Sequence, residues 1–211
     1  MKTDYLKIIF YKKLSPYCSD SALINAMFEE LIELYSYKNR FYHDITHVTS
    51  LLKRWEETRT ELNDEEVVYL AIWFHDAIFD TWKSNNEEKS AELAAEFLNK
   101  TNFPPSRIEK VVNYILATKT HESNGENDLN YFLDMDLSIL GSEETIYEIY
   151  TQQISDEYSF YPTFLYNRGR RKVLNGFLDK EFIYKTKIYR AKFEEQARVN
   201  IQAELEKLGW N

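Results

Sequence analysis

The chain of 211 residues carries 35 acidic against 26 basic side chains, and its formal net charge of -9 opposes the basic footprint of a non-specific nucleic-acid binder, so no nucleic-acid polymer is expected as a partner. Its length suits a single domain over residues 1–211 built round one continuous core. The lone cysteine, Cys18, rules out an intramolecular disulfide and a Cys-x-x-Cys site, while five glycines and four prolines leave too few turns for an all-β fold.

Lys2, Asp4, Lys7, Lys12 and Lys13 interrupt the first twenty residues, so no stretch there resembles a secretory core. The longest apolar run, Val67 to Phe74, is far shorter than the roughly 20 residues of a membrane-spanning helix. A cytoplasmic protein with no membrane partner is expected; nothing in the composition sets the oligomeric state, and a homo-oligomer stays open.

Helix follows helix along the rest of the chain. Leu23, Ala26, Met27, Leu31, Leu34 and Tyr35 recur at three-four spacing and predict an amphipathic helix over 21–38. Asp44 suits an N-cap for a helix through Val48, Leu51, Leu52 and Trp55 to near Thr60. His47 lies one and two turns before Leu51 and Trp55, so it points inward. Asn63 and Glu66 form a near-capping box ahead of a segment apolar nearly all round, Val67 to Phe74, which belongs at the centre of a bundle. That segment carries His75 and Asp76 in its last turns.

Further helices are predicted over 87–99, 105–120, 129–140, 142–158, 163–178 and 188–208, with Pro105 at a first-turn position and a polar loop over 121–128. The fold class is therefore all-α, a compact helical bundle. Its metal-site core lies roughly at 40–140, and the C-terminal helices pack on it.

An imidazole and a carboxylate in an apolar helix are costly unless compensated. Adjacent helical residues point about 100° apart, so a direct His75–Asp76 pair is awkward in a helix. His47 offers a third partner, although an inward histidine taken alone is more often a satisfied core residue. Of the acidic pair that follows, Asp136 shares a face with Phe132, Leu133, Ile139 and Leu140, and is expected to be more buried than Asp134. Three helices thus each aim polar ligand types into one core, and a shared divalent cation would compensate all four side chains.

The arrangement of His47, His75-Asp76 and Asp136 resembles the H...HD...D signature of the HD superfamily of metal-dependent phosphohydrolases. Arg40 to His47, Trp73 to Asp80, Asn86 to Ala91, Ala117 to His121, Leu133 to Leu137, Gly169-Arg170 and Glu195 to Asn200 resemble a bacterial branch of predicted HD phosphohydrolases. Ser155-Asp156 departs from that branch, where an arginine commonly precedes the Glu-Tyr found here as Glu157-Tyr158. The resemblance implies an HD-type helical domain and first ligands His47, His75, Asp76 and Asp136. Positions left open for water and substrate would make one divalent transition metal (Mn, Fe, Co, Ni or Zn) the activator of a water that attacks a small phosphorylated metabolite or nucleotide.

Supporting roles each have a plainer counterpart. His121 could contact substrate, move a proton or join a second metal, or stand solvated in its loop. Asp80 and Glu87 could orient water, or cap a helix connection. His43, four residues before His47, could co-ligate or touch substrate. Arg40 and Lys119 are the candidates for phosphate anchoring, with Arg170 and Arg198 in the C-terminal motifs; surface cations are the ordinary alternative. His43-Asp44-x-x-His47 only superficially resembles the His-Glu-x-x-His of zinc proteases, and that reading leaves His75-Asp76 unexplained. Two other activities stand beside the hydrolase: a di-iron oxygenase using His43 or His121, and a non-catalytic ligand-binding module that contains a metal.

Overall fold

Side-chain caps set where the main helices begin. The Asp20 carboxylate accepts from the backbone N–H groups of Ala22 and Leu23 at the start of α2 (Ser21–Leu34). Asp44 does the same for α3 (Ile45–Thr58), Asp64 for α4 (Glu65–Phe74) and Thr186 for α10 (Lys187–Lys207). The computed structural model describes residues 3–209. Among them the chain is all-helical, and α1 (Thr3–Leu14), α5 (Asn86–Leu98), α6 (Pro105–Ala117), α7 (Asn127–Leu137), α8 (Glu144–Glu157) and α9 (Thr163–Leu178) complete a set of ten α-helices. Short 3-10 turns follow α3 and α7, at Arg59–Glu61 and Ser138–Gly141.

The chain divides into two compact units, Met1–Phe132 and Leu133–Asn211, and the division falls inside α7. In the first unit α4 is the centre, with every residue from Val67 to Phe74 buried and with α3, α5 and α6 packed against it. This is the outcome its all-round apolar sequence predicts. Trp73 of α4 meets Phe10 of α1 and Phe28 of α2 with ring centroids 5.2 and 5.7 Å away. Burial of each such ring contributes about 1.5–3 kcal/mol or more. Helix α1 is not expected from the patterning above; Leu6, Phe10 and Leu14, at four-residue spacing, bury one narrow stripe among lysines.

At the N-terminal end of α4, Asp128 accepts from the backbone N–H groups of Asn63 (2.9 Å) and Asp64 (2.7 Å). Arg107 of α6 binds Asp64 through two nitrogens, at 2.8 and 2.6 Å, and reaches Glu66 at 2.8 Å. These contacts fix the end of α4 opposite to the candidate site.

In the second unit α10 packs on the 3-10 turn Ser138–Gly141 and on α8 and α9. The helix predicted to run to Leu140 instead tightens after Leu137. Gly141, at the end of that turn, permits the close approach of α10, since a Cβ there would stand 2.6 Å from the Cβ of Phe193. Arg170 is no surface cation: it forms a buried ion pair with Glu204 at 2.7 Å and donates to the Tyr150 hydroxyl at 3.1 Å. Tyr147 donates to the same glutamate at 2.5 Å. Arg198 is half-buried, donating to Glu194 and to the carbonyls of Lys180 and Glu181.

Candidate metal centre

His47 owes its position to the start of α3. Asp44 is extended and its carboxylate accepts from Thr46 N (2.7 Å), Thr46 Oγ1 (2.5 Å) and His47 N (3.4 Å), which puts His47 in the first turn. Its ring turns inward as its spacing from Leu51 and Trp55 predicts, and is 4% exposed.

His75 and Asp76 do not lie within α4, contrary to expectation. The helix stops at Phe74, His75 is its C-cap residue, and Asp76 belongs to the turn beyond. At the stop the last carbonyls of α4 all find donors close by. His75 N bonds the carbonyl of Ala71 and Ala77 N that of Phe74. The Tyr35 hydroxyl donates to Trp73 O at 3.1 Å, and His75 Nδ1 lies 2.9 Å from Ile72 O. Arg40, 7% exposed, donates to the carbonyls of His43 (2.8 Å), Asp76 (2.6 Å) and Ala77 (2.7 Å), so the turn is tied to the segment before α3. The buried Ser90 hydroxyl of α5 accepts from Ile78 N at 3.0 Å. With Asp76 outside the helix, the pairing that helical geometry would forbid becomes available.

The three side chains converge. His47 Nε2 and His75 Nε2 are 3.1 Å apart, His75 Nε2 and Asp76 Oδ2 3.1 Å, and His47 Nε2 and Asp76 Oδ2 3.7 Å. A carbonyl only accepts, so the contact with Ile72 O puts a proton on His75 Nδ1; in the neutral imidazole Nε2 then carries a lone pair facing His47. One proton can bridge two such nitrogens. A cation about 2.1 Å from each would use both lone pairs and the carboxylate together, and the separations fit that donor set. Burial acts to raise the pKa of Asp76, but the charge of His75, their hydrogen bond and the charges of His43 and His47 outweigh it and hold the carboxyl well below its ordinary range. The carboxylate is therefore an anion beside the two imidazoles, and a cation bound there would take the place of their Nε2 protons.

Asp136 lies near the end of α7, one turn beyond Phe132, whose ring meets that of His75 edge-on at 5.9 Å. The burial order of the acidic pair is the reverse of expectation: Asp134 is 0% exposed, whereas Asp136 is half-buried. Helix α7 is covered on nearly every face from Asp128 to Leu137, so its periodicity cannot rank the two. Asp134 has a backbone task, accepting from Lys185 N and Thr186 N at 2.7 Å each. Burial raises its pKa, and those two hydrogen bonds oppose the shift.

The remaining candidates lie in different settings. The His43 ring stacks on Phe79 at 4.3 Å and is 5.9 Å from the ring of His47. Asp80 closes a turn, accepting from Trp82 N at 3.0 Å and facing Lys83 at 3.4 Å. Glu87 stands in the first turn of α5, with Lys119 Nζ at 4.0 Å. Lys119 itself is exposed, bonded to Glu88 and to Ser84 O at 2.7 Å. His121 follows α6 with φ 53° and its N–H bonded to Ala117 O at 2.8 Å, a left-handed helix stop. Sequence reasoning does not find the clamp made by Arg40, Tyr35 and Ser90; a serine among the buried Ala91, Ala94 and Phe97 of α5 is its one visible signal.

No helix among the described residues is long and apolar enough to cross a membrane. No protein-family model matches the chain, and neither a curated protein nor a solved structure matches it.

Proposed function

We propose that the chain is a phosphohydrolase holding one divalent transition metal on His47, His75, Asp76 and Asp136, and that it cleaves a small phosphorylated metabolite or nucleotide. The observation that carries the metal is the pair of Nε2 atoms 3.1 Å apart beside the Asp76 carboxylate, with a proton on the other nitrogen of His75. The activity rests on the resemblance of these positions to the HD signature. Asp136 enters as the fourth ligand through the same resemblance. Two nitrogen and two oxygen donors suit Mn, Fe, Co, Ni or Zn.

When bound, the metal lowers the pKa of a coordinated water toward neutrality and polarises a phosphoryl oxygen. The protein does the rest by positioning. Arg40 donates through its two terminal nitrogens to three backbone carbonyls and so holds the turn that carries Asp76. Lys119, exposed between Glu87 and Glu88, is the cation a substrate phosphate could recruit. His43, stacked on Phe79 and acting on the Asp76 charge, is placed to bind substrate or to move a proton.

The test is metal content per chain, for wild type and Asp76→Ala purified in parallel without chelator, followed by turnover on monoester, diester and pyrophosphate substrates. About one metal per chain, lost in the variant, with metal-dependent phosphate release is the expected result. Two metals per chain would move the reading to a dinuclear or di-iron centre. Metal without turnover on any phosphate would leave a binding module, and no metal after reconstitution would sink the site.

A further inference from the structure

The face of α3 opposite to His47 lines a groove that the proposed metal chemistry does not use. Its cavity is about 540 Å³, and its apolar wall is made by Leu6 and Ile9 of α1, Leu52 and Trp55 of α3, and Tyr69 of α4. That volume lies within the range of small-molecule sites, about 300–1,000 Å³. The lining residues climb α3 from Thr46 to Glu56, about 15 Å of helix, which is roughly the length of an extended medium-chain acyl group.

One charged group gives the groove a chemical preference. Lys53 stands exposed at the rim, with no ion-pair partner among the described residues. Glu56, the acid of the same wall, faces Arg59 at 3.4 Å and so does not neutralise Lys53. The hydroxyls of Thr46, Thr49 and Ser50 already donate to Asp44 or to α3 carbonyls. Lys53, the donor left over, calls for an anionic oxygen, while the walls call for an apolar body.

We propose that this groove binds an amphipathic carboxylate with an extended apolar chain. The site is separate from the metal ligands, because His47 projects from the buried side of α3 and the groove residues Thr46, Ser50 and Lys53 from its exposed side.

Isothermal titration of the full chain with decanoate and with decyltrimethylammonium tests charge and chain together. Wild type should bind one decanoate with a sub-millimolar Kd and prefer it to the cation by about fivefold, the scale of one exposed ion pair. Lys53→Gln, an exposed change that leaves the fold alone, should bring the two probes to within about twofold. Ile9→Trp, which fills the groove, should weaken decanoate by about tenfold or more while a thermal melt reports an intact fold. Decanoate binding that Ile9→Trp leaves unchanged, a preference for the cation, or no binding at millimolar concentration would each overturn the proposal. Metal content should be unaffected by either variant, so the outcome does not depend on the metal centre.

Discussion

Replacing Asp134 and Asp136 in turn separates the fold from the site. Asp134 is fully buried and accepts two charge-assisted hydrogen bonds, each 2.7 Å, from the backbone of Lys185 and Thr186 immediately before α10. Hydrogen bonds to a charged group contribute about 1.5–3 kcal/mol each, and Asp134→Ala also leaves two backbone donors without a partner. The expected loss is about 3–5 kcal/mol, which for a chain of this size lowers Tm by about 10 °C. Asp136 is half-buried and stands among the proposed ligands, so Asp136→Ala should lower the Tm of metal-free protein by less than Asp134→Ala does while abolishing metal retention. Calorimetry on chelated samples and metal analysis on untreated ones give the two readouts. If Asp134→Ala lost metal at an unchanged Tm while Asp136→Ala kept both, the roles derived from the hydrogen bonds would be inverted.

Gly141→Ala should destabilise by about 2 kcal/mol in a denaturant melt, because the new Cβ would fall 2.6 Å from the Cβ and the carbonyl oxygen of Phe193. Gly176→Ala should do the opposite, stabilising by about 0.5–1 kcal/mol, since Gly176 lies inside α9 with nothing within 4 Å of an added Cβ. Burial opposes ionisation of Asp64, but its hydrogen bonds to Arg107 and Val67 and the Arg107 charge hold its pKa below the ordinary 3.8. A depressed acid contributes stability that is present above 3.8 and lost as pH falls through its folded value, so Arg107→Gln should flatten the loss of stability seen below about pH 4. Arg40→Lys keeps the charge but cannot fork across the carbonyls of His43, Asp76 and Ala77; metal affinity should fall about tenfold or more by direct titration.

The all-helical class and the central place of α4 were legible because a segment apolar on every side has no surface position available to it. His47 was legible for a related reason: α3 has a clear polar face, so its spacing from Leu51 and Trp55 decides which way it points. The same logic fails for α7, where nearly all faces are buried and Asp134 and Asp136 cannot be ranked by a helical wheel. What distinguishes them is a pair of backbone N–H groups about fifty residues later in the chain, and no local pattern encodes that contact. The end of α4 was misplaced because Phe74, His75 and Asp76 contain neither Gly nor Pro. The carbonyls at and just beyond its end are held by donors from Tyr35 and Arg40, supplied from nearly forty residues upstream.

That stop has a consequence for the site. A helix leaves its last four carbonyls without intrahelical partners, and at the end of α4 those of Ala71, Ile72, Trp73 and Phe74 all find donors. One of the four, Ile72 O, is satisfied by His75 itself, which makes the helix cap and the orientation of the ligand a single contact. The next carbonyls, of Asp76 and Ala77, are held by Arg40, which also grips His43 O just ahead of α3. Backbone contacts that contain no metal therefore fix the ring of His75 and the turn of Asp76 toward His47. A metal bound as proposed would find these side chains already oriented, so its binding need not drive folding of the site, and its free energy would remain available for holding the cation and a substrate oxygen.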